Sequence, residues 1–440
     1  MPGFIHELRI DDLPGAVIEQ AQRCLLDLIG VAASGSGTDM SRLARNHAAR
    51  HFVGADRAAR MLFDGRPVSP VGAALAGGMT IDSMDAHDGH ALAKGHAGAA
   101  VLPALLALLD GAAGTDADGP GLLTALVIGY ELGIRAGIAL HAQAADYHNS
   151  GAWNALACAG VASRLLRLDA GTTEHALGIA EYHAPRGPMM GCIDNPTMVK
   201  DGSGWGAMSG VSAALLAADG FTGSPASLVH GEHADVWDDL GVRWRILELY
   251  FKPHPVCRWA QPAVQAALVL RGQYGFTAAD IDHAEIVTFH HAVRLHTRRP
   301  ASTEQAQYSL PFPVATALVR GVVGPAEVGP GGIADEAVLR LSEGMRVSES
   351  EDFSVLFPAQ RWAQVSVVLR DGRRLSSGPT TAIGEPGTPL SDADLDAKFH
   401  ALADGPLGTP RAGAIADAVR RLPDPSADAR HLGDLVLRST

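Results

Sequence analysis

Two apolar runs rich in small residues, Val71–Ile81 and Ala97–Leu109, enclose the stretch D-S-M-D-A-H-D-G-H-A-L-A-K-G-H at 82–96. Seven of its side chains ionise: Asp82, Asp85, His87, Asp88, His90, Lys94 and His96. Both flanking runs have the length and composition of buried helices. An acid–base cluster at the junction of two buried elements must be paired or hydrogen-bonded, or its pKa values move. That cost marks the stretch as a candidate site; the competing reading is a polar loop at the surface.

The chain has 440 residues, 47% of them hydrophobic, enough for two or three domains with separate cores. Its net charge is −13 and no Lys/Arg block is present, which argues against nucleic acid as a partner. Cys24, Cys158, Cys192 and Cys257 are far apart and form no C-x-x-C pair, so neither a zinc knuckle nor a disulfide framework is expected. The N-terminal residues lack the apolar core of a secretory signal. The longest apolar runs are interrupted by Pro103, or by Glu131 and Arg135, and none is expected to span a membrane. A soluble cytoplasmic protein with no membrane partner is the expectation.

From Asp11 to about Lys252 the pattern is helical, with segments at Val17–Ala33, Leu122–Leu140, Gly151–Leu168, Thr172–His183 and Gly206–Ala218. The texture changes near Pro253–Pro255. Ala284–Phe289 and Trp362–Leu369 read as strands, and Asp371–Gly372 as a hairpin turn. Helix-like stretches lie at Trp259–Arg271, Glu304–Val319 and Glu336–Leu341, and Leu390–Leu422 is helical again before a Pro/Asp-rich tail. The fold class is therefore mainly α with an α+β second domain. A large all-helical bundle domain is expected from 1–258 and 390–440, with a smaller lid domain carrying an antiparallel sheet at 259–389.

Several residues invite chemical readings. His87-Asp88 resembles the H-D pair of metal phosphohydrolases, but the sequence shows no convergent ligand set; His47 and His51 have i,i+4 spacing without a Glu base between them. Lys200 precedes D-G-S-G-W-G, a glycine-rich loop opening a helix, whose amides suit a carboxylate. It lacks the order of a phosphate loop. The segment F-K-P-H-P-V-C-R-W-A-Q-P at 251–262 gathers Lys252, His254, Cys257 and Arg258 where two domains meet, a favoured place for a pocket. Tyr147-His148 stands just before a helix.

Together, five segments in order resemble the MmgE/PrpD family, which contains 2-methylcitrate dehydratase, cis-aconitate decarboxylase and iminodisuccinate epimerase. They are M-D-A-H-D-G-H…K-G-H-A-G-A-A-V-L-P-A at 84–104, H-N-S-G-A-W at 148–153, M-V-K-D-G-S-G-W-G-A-M-S-G at 198–210, F-K-P-H-P-V-C-R-W-A-Q-P-A at 251–263 and Q-Y-S-L-P-F-P-V-A at 307–315. The resemblance implies a helical domain plus an α+β lid, a homodimer, a site between the two domains and no organic cofactor. It assigns catalytic roles to Asp85, His96, His148 and Lys200 and a substrate contact to Lys252, with no metal; His87, Asp88 and Lys94, which replace what the dehydratases carry, and Cys257 and Arg258 are expected to contact the substrate as well. Gly89 stands where the family pattern has Thr, and there is one extra residue before His96. Ser203 stands where it has His, Cys257 where the decarboxylases have His, and Phe312 where they have Tyr.

The shared chemistry is proton transfer at a carbon α to a carboxylate in a small di- or tricarboxylate. It needs cations for the carboxylates and a base near neutral pKa. The departures at 89 and 203, together with the added ionisable groups of H-D-G-H…K-G-H, favour epimerisation of the iminodisuccinate type, with His96 and His148 on opposite faces of one carbon. Elimination of water, as in 2-methylcitrate dehydratase, is the alternative. A metal phosphohydrolase and a non-catalytic carboxylate-binding paralogue are the readings from other classes.

Overall fold

The computed structural model describes residues 1–55, 57–111 and 118–440. The first two-thirds of the chain is a layered helical body. Its main elements are α1 (Gly15–Gly35), α2 (Pro70–Asp82), α3 (Gly98–Gly111), α4 (Gly119–Gln143), α5 (Gly151–Leu165), α6 (Ala170–Tyr182) and α7 (Ser203–Ala218). Polar caps set several starts: the Ser69 hydroxyl accepts the Gly72 amide, and Asp118 and Asp169 accept the amides of Gly121 and Thr172. α7 packs on α2 and α5, and α4 packs on α5. A Cβ on Gly78 would lie 2.6 Å from the Gly204 Cα, so the α2–α7 crossing has no room for a side chain. This close approach draws the C-terminal end of α2 and the N-terminal end of α7 together at the site.

The apolar run around Glu131 and Arg135 differs from its expected reading. α4 is 25 residues long and its most apolar stretch has a mean hydropathy of 1.5, long and apolar enough to cross a bilayer by composition. Here 94% of its most apolar stretch is buried in the protein. The two charges do not interrupt the helix because both are satisfied inside it. Arg135 Nε donates to Glu131 at 3.3 Å, Glu131 accepts the Ile246 amide at 2.9 Å, and Arg135 donates to the Arg243 carbonyl at 2.7 Å. The pair thereby holds the 236–246 segment against the core.

A short antiparallel ladder, β1 (Gly89–His90) with β2 (Leu249–Tyr250), joins the acid–base loop to the segment leading into the second unit. That unit contains α8 (Gln261–Tyr274), β3 (Ile281–Thr288), α9 (Pro311–Arg320), β4 (Arg346–Glu349), β5 (Ala363–Leu369) and β6 (Arg374–Ser376). The strand order is β4-β3-β5-β6. β3, β5 and β6 are antiparallel neighbours, and the β5–β6 turn carries Gly372 at φ +90°, as its D-G signal predicts. β4 runs parallel to β3, so the sheet is mixed where an antiparallel one was expected. The expected helix over 304–319 is split into Thr303–Gln307 and α9, because Pro311 and Pro313 cannot continue the backbone ladder from the preceding turn.

After the sheet, α10 (Asp392–Leu407) returns to pack along α1, started by a capping box between Ser391 and Asp394. The Pro/Asp-rich tail ends in a further helix, Ala429–Val436, whose Leu432, Leu435 and Val436 are buried and which lies on α3. Their i, i+3, i+4 spacing was present in the sequence but overshadowed by the polar residues around it.

Candidate active site

α2 ends at Asp82, whose carboxylate accepts the Ser203 amide at 2.8 Å and its hydroxyl at 2.9 Å. Ser203 therefore serves the fold, tying the start of α7 to the end of α2. The turn that follows α2 carries Asp85 inward. The β1–β2 ladder delivers Lys252, two residues beyond Tyr250, to the same place, where its ammonium donates to Asp85 Oδ1. Gln307 closes the arrangement from the second unit. Its carbonyl oxygen accepts the Asp85 amide at 2.8 Å and the Lys200 ammonium at 2.7 Å, while its amide nitrogen donates to the Ser83 carbonyl at 3.1 Å.

The backbone amide of His96 donates to Ser150 Oγ at 2.9 Å, and His96 Nδ1 lies 2.5 Å from the Asp88 carbonyl oxygen. A carbonyl only accepts, so Nδ1 carries the proton and Nε2 keeps its lone pair. The His87 ring packs edge-on against His96 at 4.3 Å between centroids, with His87 Nε2 3.6 Å from Asp82 and 3.9 Å from Asp85. Burial, reinforced by the Lys252 charge and opposed by Asp85, pushes His96 down to about 3. Burial and the His96 charge hold His87 well below its ordinary value. Both rings are neutral at neutral pH. Asp85 is buried, which alone would raise its pKa, yet the charges of Lys252 and Lys200 hold it below the usual carboxylate range.

These groups face a small cavity of about 30 Å3 between the two units. Of the residues singled out in the sequence, Asp85, Lys94, His96, Lys252, Cys257 and Arg258 line it. Lys200 stands directly behind, its ammonium 4.7 Å from the ring centroid of the lining Tyr308. His87 and Asp88, expected on the substrate side, stand behind the wall instead. His148, expected across the reacting carbon from His96, lies away from the cavity and half-exposed: its Nδ1 is 2.8 Å from the Asp146 carbonyl and its amide donates to His141 Nε2. Its neighbour Tyr147 takes the inward place and donates to the Lys94 carbonyl at 2.6 Å. Two larger surface clefts, of about 560 and 830 Å3, carry none of the residues singled out.

Sequence reasoning did not single out the lining residues Asp201, Tyr250, Trp259, Tyr308 and Arg361. All but Arg361 sit inside, or one residue outside, the segments that carry the family resemblance, so their neighbours were a usable signal. Lys94 and Lys200 are two of four described non-glycine residues with positive φ, at +55° and +49°. Such backbone is costly and persists where the surroundings over-determine it. The Gly89 departure has a steric cause: a Cβ there would lie 2.5 Å from the Tyr250 hydroxyl and 2.7 Å from His96 Nδ1. The Tyr250 phenol fills the space that a larger residue at 89 would need.

Behind the cavity lies a second buried cluster. Tyr130 donates to Asp88 at 2.5 Å, the other Asp88 oxygen has no hydrogen-bond partner, and Lys398 of α10 bridges Asp27 at 2.5 Å and the Ala86 carbonyl at 2.6 Å. Burial, with the nearby Asp27 charge, pushes Asp88 up to about 7 against the Tyr130 hydrogen bond. The folded chain thus keeps a proton that the unfolded chain releases above about pH 4. The stability from this group is full below about pH 4 and is lost as pH rises through 7. Asp88→Asn, neutral at every pH, should lose less stability between pH 5 and 8 than the unmodified chain, by about 3 kcal/mol at most. Denaturant titrations at the two pH values check this, and equal declines would refute it.

Asp85, His87 and His96 offer ligand atoms within 4.8 Å of one another, the spacing of a metal site. Their chemistry disfavours a divalent ion: the Asp85 oxygen is engaged by the Lys252 ammonium, and the charges of Lys200 and Lys252 already depress both imidazoles.

A helical body joined to a mixed-sheet unit, with an ammonium–carboxylate–imidazole site at the seam, defines a class that comparison with known proteins identifies. Residues 1–236 match the MmgE/PrpD N-terminal domain and residues 254–424 the MmgE/PrpD C-terminal domain. The chain belongs to the MmgE/PrpD family. Among curated relatives it is similar to a cis-aconitate decarboxylase-like protein of Aspergillus oryzae, 25% identical over 98% of this chain and 95% of the relative. It is also similar to the cis-aconitate decarboxylases of Mus musculus (25% identical, 96% and 90% covered) and Aspergillus terreus (23% identical, 94% and 91% covered).

Proposed function

We propose that the chain is an acid–base lyase for a small polycarboxylate, working at a carbon next to a carboxylate and using neither metal nor organic cofactor. The observation that carries this reading is the lone pair of His96 Nε2 at a cavity with Lys94, Lys252, Arg258 and Arg361 in its wall against one ionised carboxylate, Asp85, since burial and the Asp82 charge push Asp201 up to about 8. The relatives named cis-aconitate decarboxylases support the lyase class. Burial is the main reason His96 is low, and the Lys252 charge adds to it; an entering carboxylate offsets that second contribution and so raises the base. Lys252 and Lys200 then stabilise the enolate-like charge that develops on the substrate. In an elimination, His96 Nε2 takes the C–H proton, the electron pair forms the alkene, and the Tyr250 phenol protonates the departing hydroxyl, which leaves as water. In a decarboxylation, the bound substrate carboxylates let His96 Nε2 take a proton from solvent; carbon dioxide then leaves, its electron pair stays on carbon, and His96 returns that proton to the carbanion.

A second reading is the epimerase, and Lys94 favours it. Its ammonium lies in the same cavity and burial lowers its pKa, so it can act as the second base that His148 does not supply from its observed position. The test incubates the protein in deuterated water with cis-aconitate, citrate, 2-methylcitrate and single stereoisomers of amino- and hydroxy-dicarboxylates, followed by NMR. Release of carbon dioxide, or gain or loss of an alkene, is the expected result. Deuterium at the α carbon with isomer exchange alone would decide for the epimerase. No turnover of any of them would sink the polycarboxylate reading. Full activity after dialysis against a chelator is expected, and loss restored by one divalent metal would overturn metal independence.

A further inference from the structure

We infer that Arg361 is the receptor for a substrate carboxylate remote from the reacting carbon, and that it sets how many carboxylates the site prefers. This inference rests on the polycarboxylate reading above. Arg361 lies in the second unit, just ahead of β5, and lines the cavity opposite a base supplied by the first unit. It is 5% exposed, makes no hydrogen bond or ion pair with any described residue, and its Nε is buried without a partner. Its guanidinium lies 5.4 Å from the Phe357 ring centroid.

A guanidinium taken out of water without a counter-charge is unfavourable, and folded proteins normally pair it. The carboxylates of this cavity are already engaged. Asp85 holds Lys252, and Asp201 accepts both the amide and the hydroxyl of Ser150. Glu385 meets Arg258, not Arg361. Arg258 adds a like charge beside Arg361, and each has its pKa lowered by burial. The missing partner is therefore an anion brought by the ligand. A planar fork of donors fits a carboxylate through two parallel hydrogen bonds, which an ammonium does not reproduce. Because Arg361 and His96 belong to different units, a ligand held by both also draws the units together over the reacting carbon.

The experiment measures binding of propane-1,2,3-tricarboxylate, glutarate and succinate by calorimetry at pH 7, using the full chain and its Arg361→Gln and Arg361→Lys variants. The full chain should bind the tricarboxylate about 100-fold more tightly than either dicarboxylate. Arg361→Gln should abolish that preference while leaving dicarboxylate binding within about threefold. Arg361→Lys keeps the charge, is expected to fold if Arg361→Gln does not, and should lose about tenfold of the preference because the fork is gone. A variant that keeps the full preference overturns the role of Arg361 and leaves the polycarboxylate reading standing. A full chain that binds none of the three probes overturns both.

Discussion

His96→Gln should lower kcat by about 10²- to 10⁴-fold, the usual worth of a positioned general base, while leaving the fold and ligand binding in place. The glutamine amide spans a similar distance but has no lone-pair nitrogen to accept a proton. The expectation comes from the backbone hydrogen bond at Nδ1, which commits Nε2 to the cavity, and from the neutral state that burial and Lys252 impose on the ring. Asp85→Asn should lose activity on a similar scale for a different reason, since it strips the Lys252 ammonium of its counter-charge and removes the one acidic neighbour that raises the His96 pKa. The pH profile separates the two. With substrate carboxylates bound, the acid limb of kcat reports His96, and in Asp85→Asn that limb should move to lower pH. Steady-state rates across pH 5 to 9 on whichever polycarboxylate turns over provide the check. Wild-type kcat in His96→Gln would move the base elsewhere, with Lys94 and His148 the next groups to test.

Lys398→Met should destabilise the chain by about 3–5 kcal/mol, the usual consequence of removing one partner of a buried ion pair. The Lys398 side chain is 8% exposed and that of Asp27 fully buried, and Asp27 Oδ2 has no partner even with the lysine present. The loss should be largely reversed in the double variant Asp27→Asn/Lys398→Met, because a neutral, similarly shaped pair no longer carries an orphaned charge. Lys398 also holds the Ala86 carbonyl in the loop between Asp85 and His87. The single variant should therefore raise KM or lower kcat even at temperatures where it remains folded. Urea unfolding of the unmodified chain and the two variants measures the first effect and steady-state kinetics the second. A loss below about 1 kcal/mol in Lys398→Met would show that the pair contributes little.

The sequence determined the parts of this protein that local rules govern. The apolar runs around 82–96 are α2 and α3, the D-G turn lies between β5 and β6, and the ordered motifs place the chain in its family, because period, cap and turn preferences act over a few residues. It also named six of the residues that line the cavity. Tertiary structure decided which way the ionisable side chains face. In the irregular turn from Asp82 to His96 no period ties position to direction, so Asp85 points to Lys252 and Asp88 to Tyr130 only because those partners are fixed by distant packing. Lys398 reaches Asp27 across 371 residues, Gln307 reaches Asp85 and Lys200 because two prolines break its helix, and Arg361 sits in a stretch with no pattern at all. Pairing over such separations is selected by the burial of whole helices and sheets. The charges then find partners wherever that packing leaves them, and no spacing rule along the chain encodes the result.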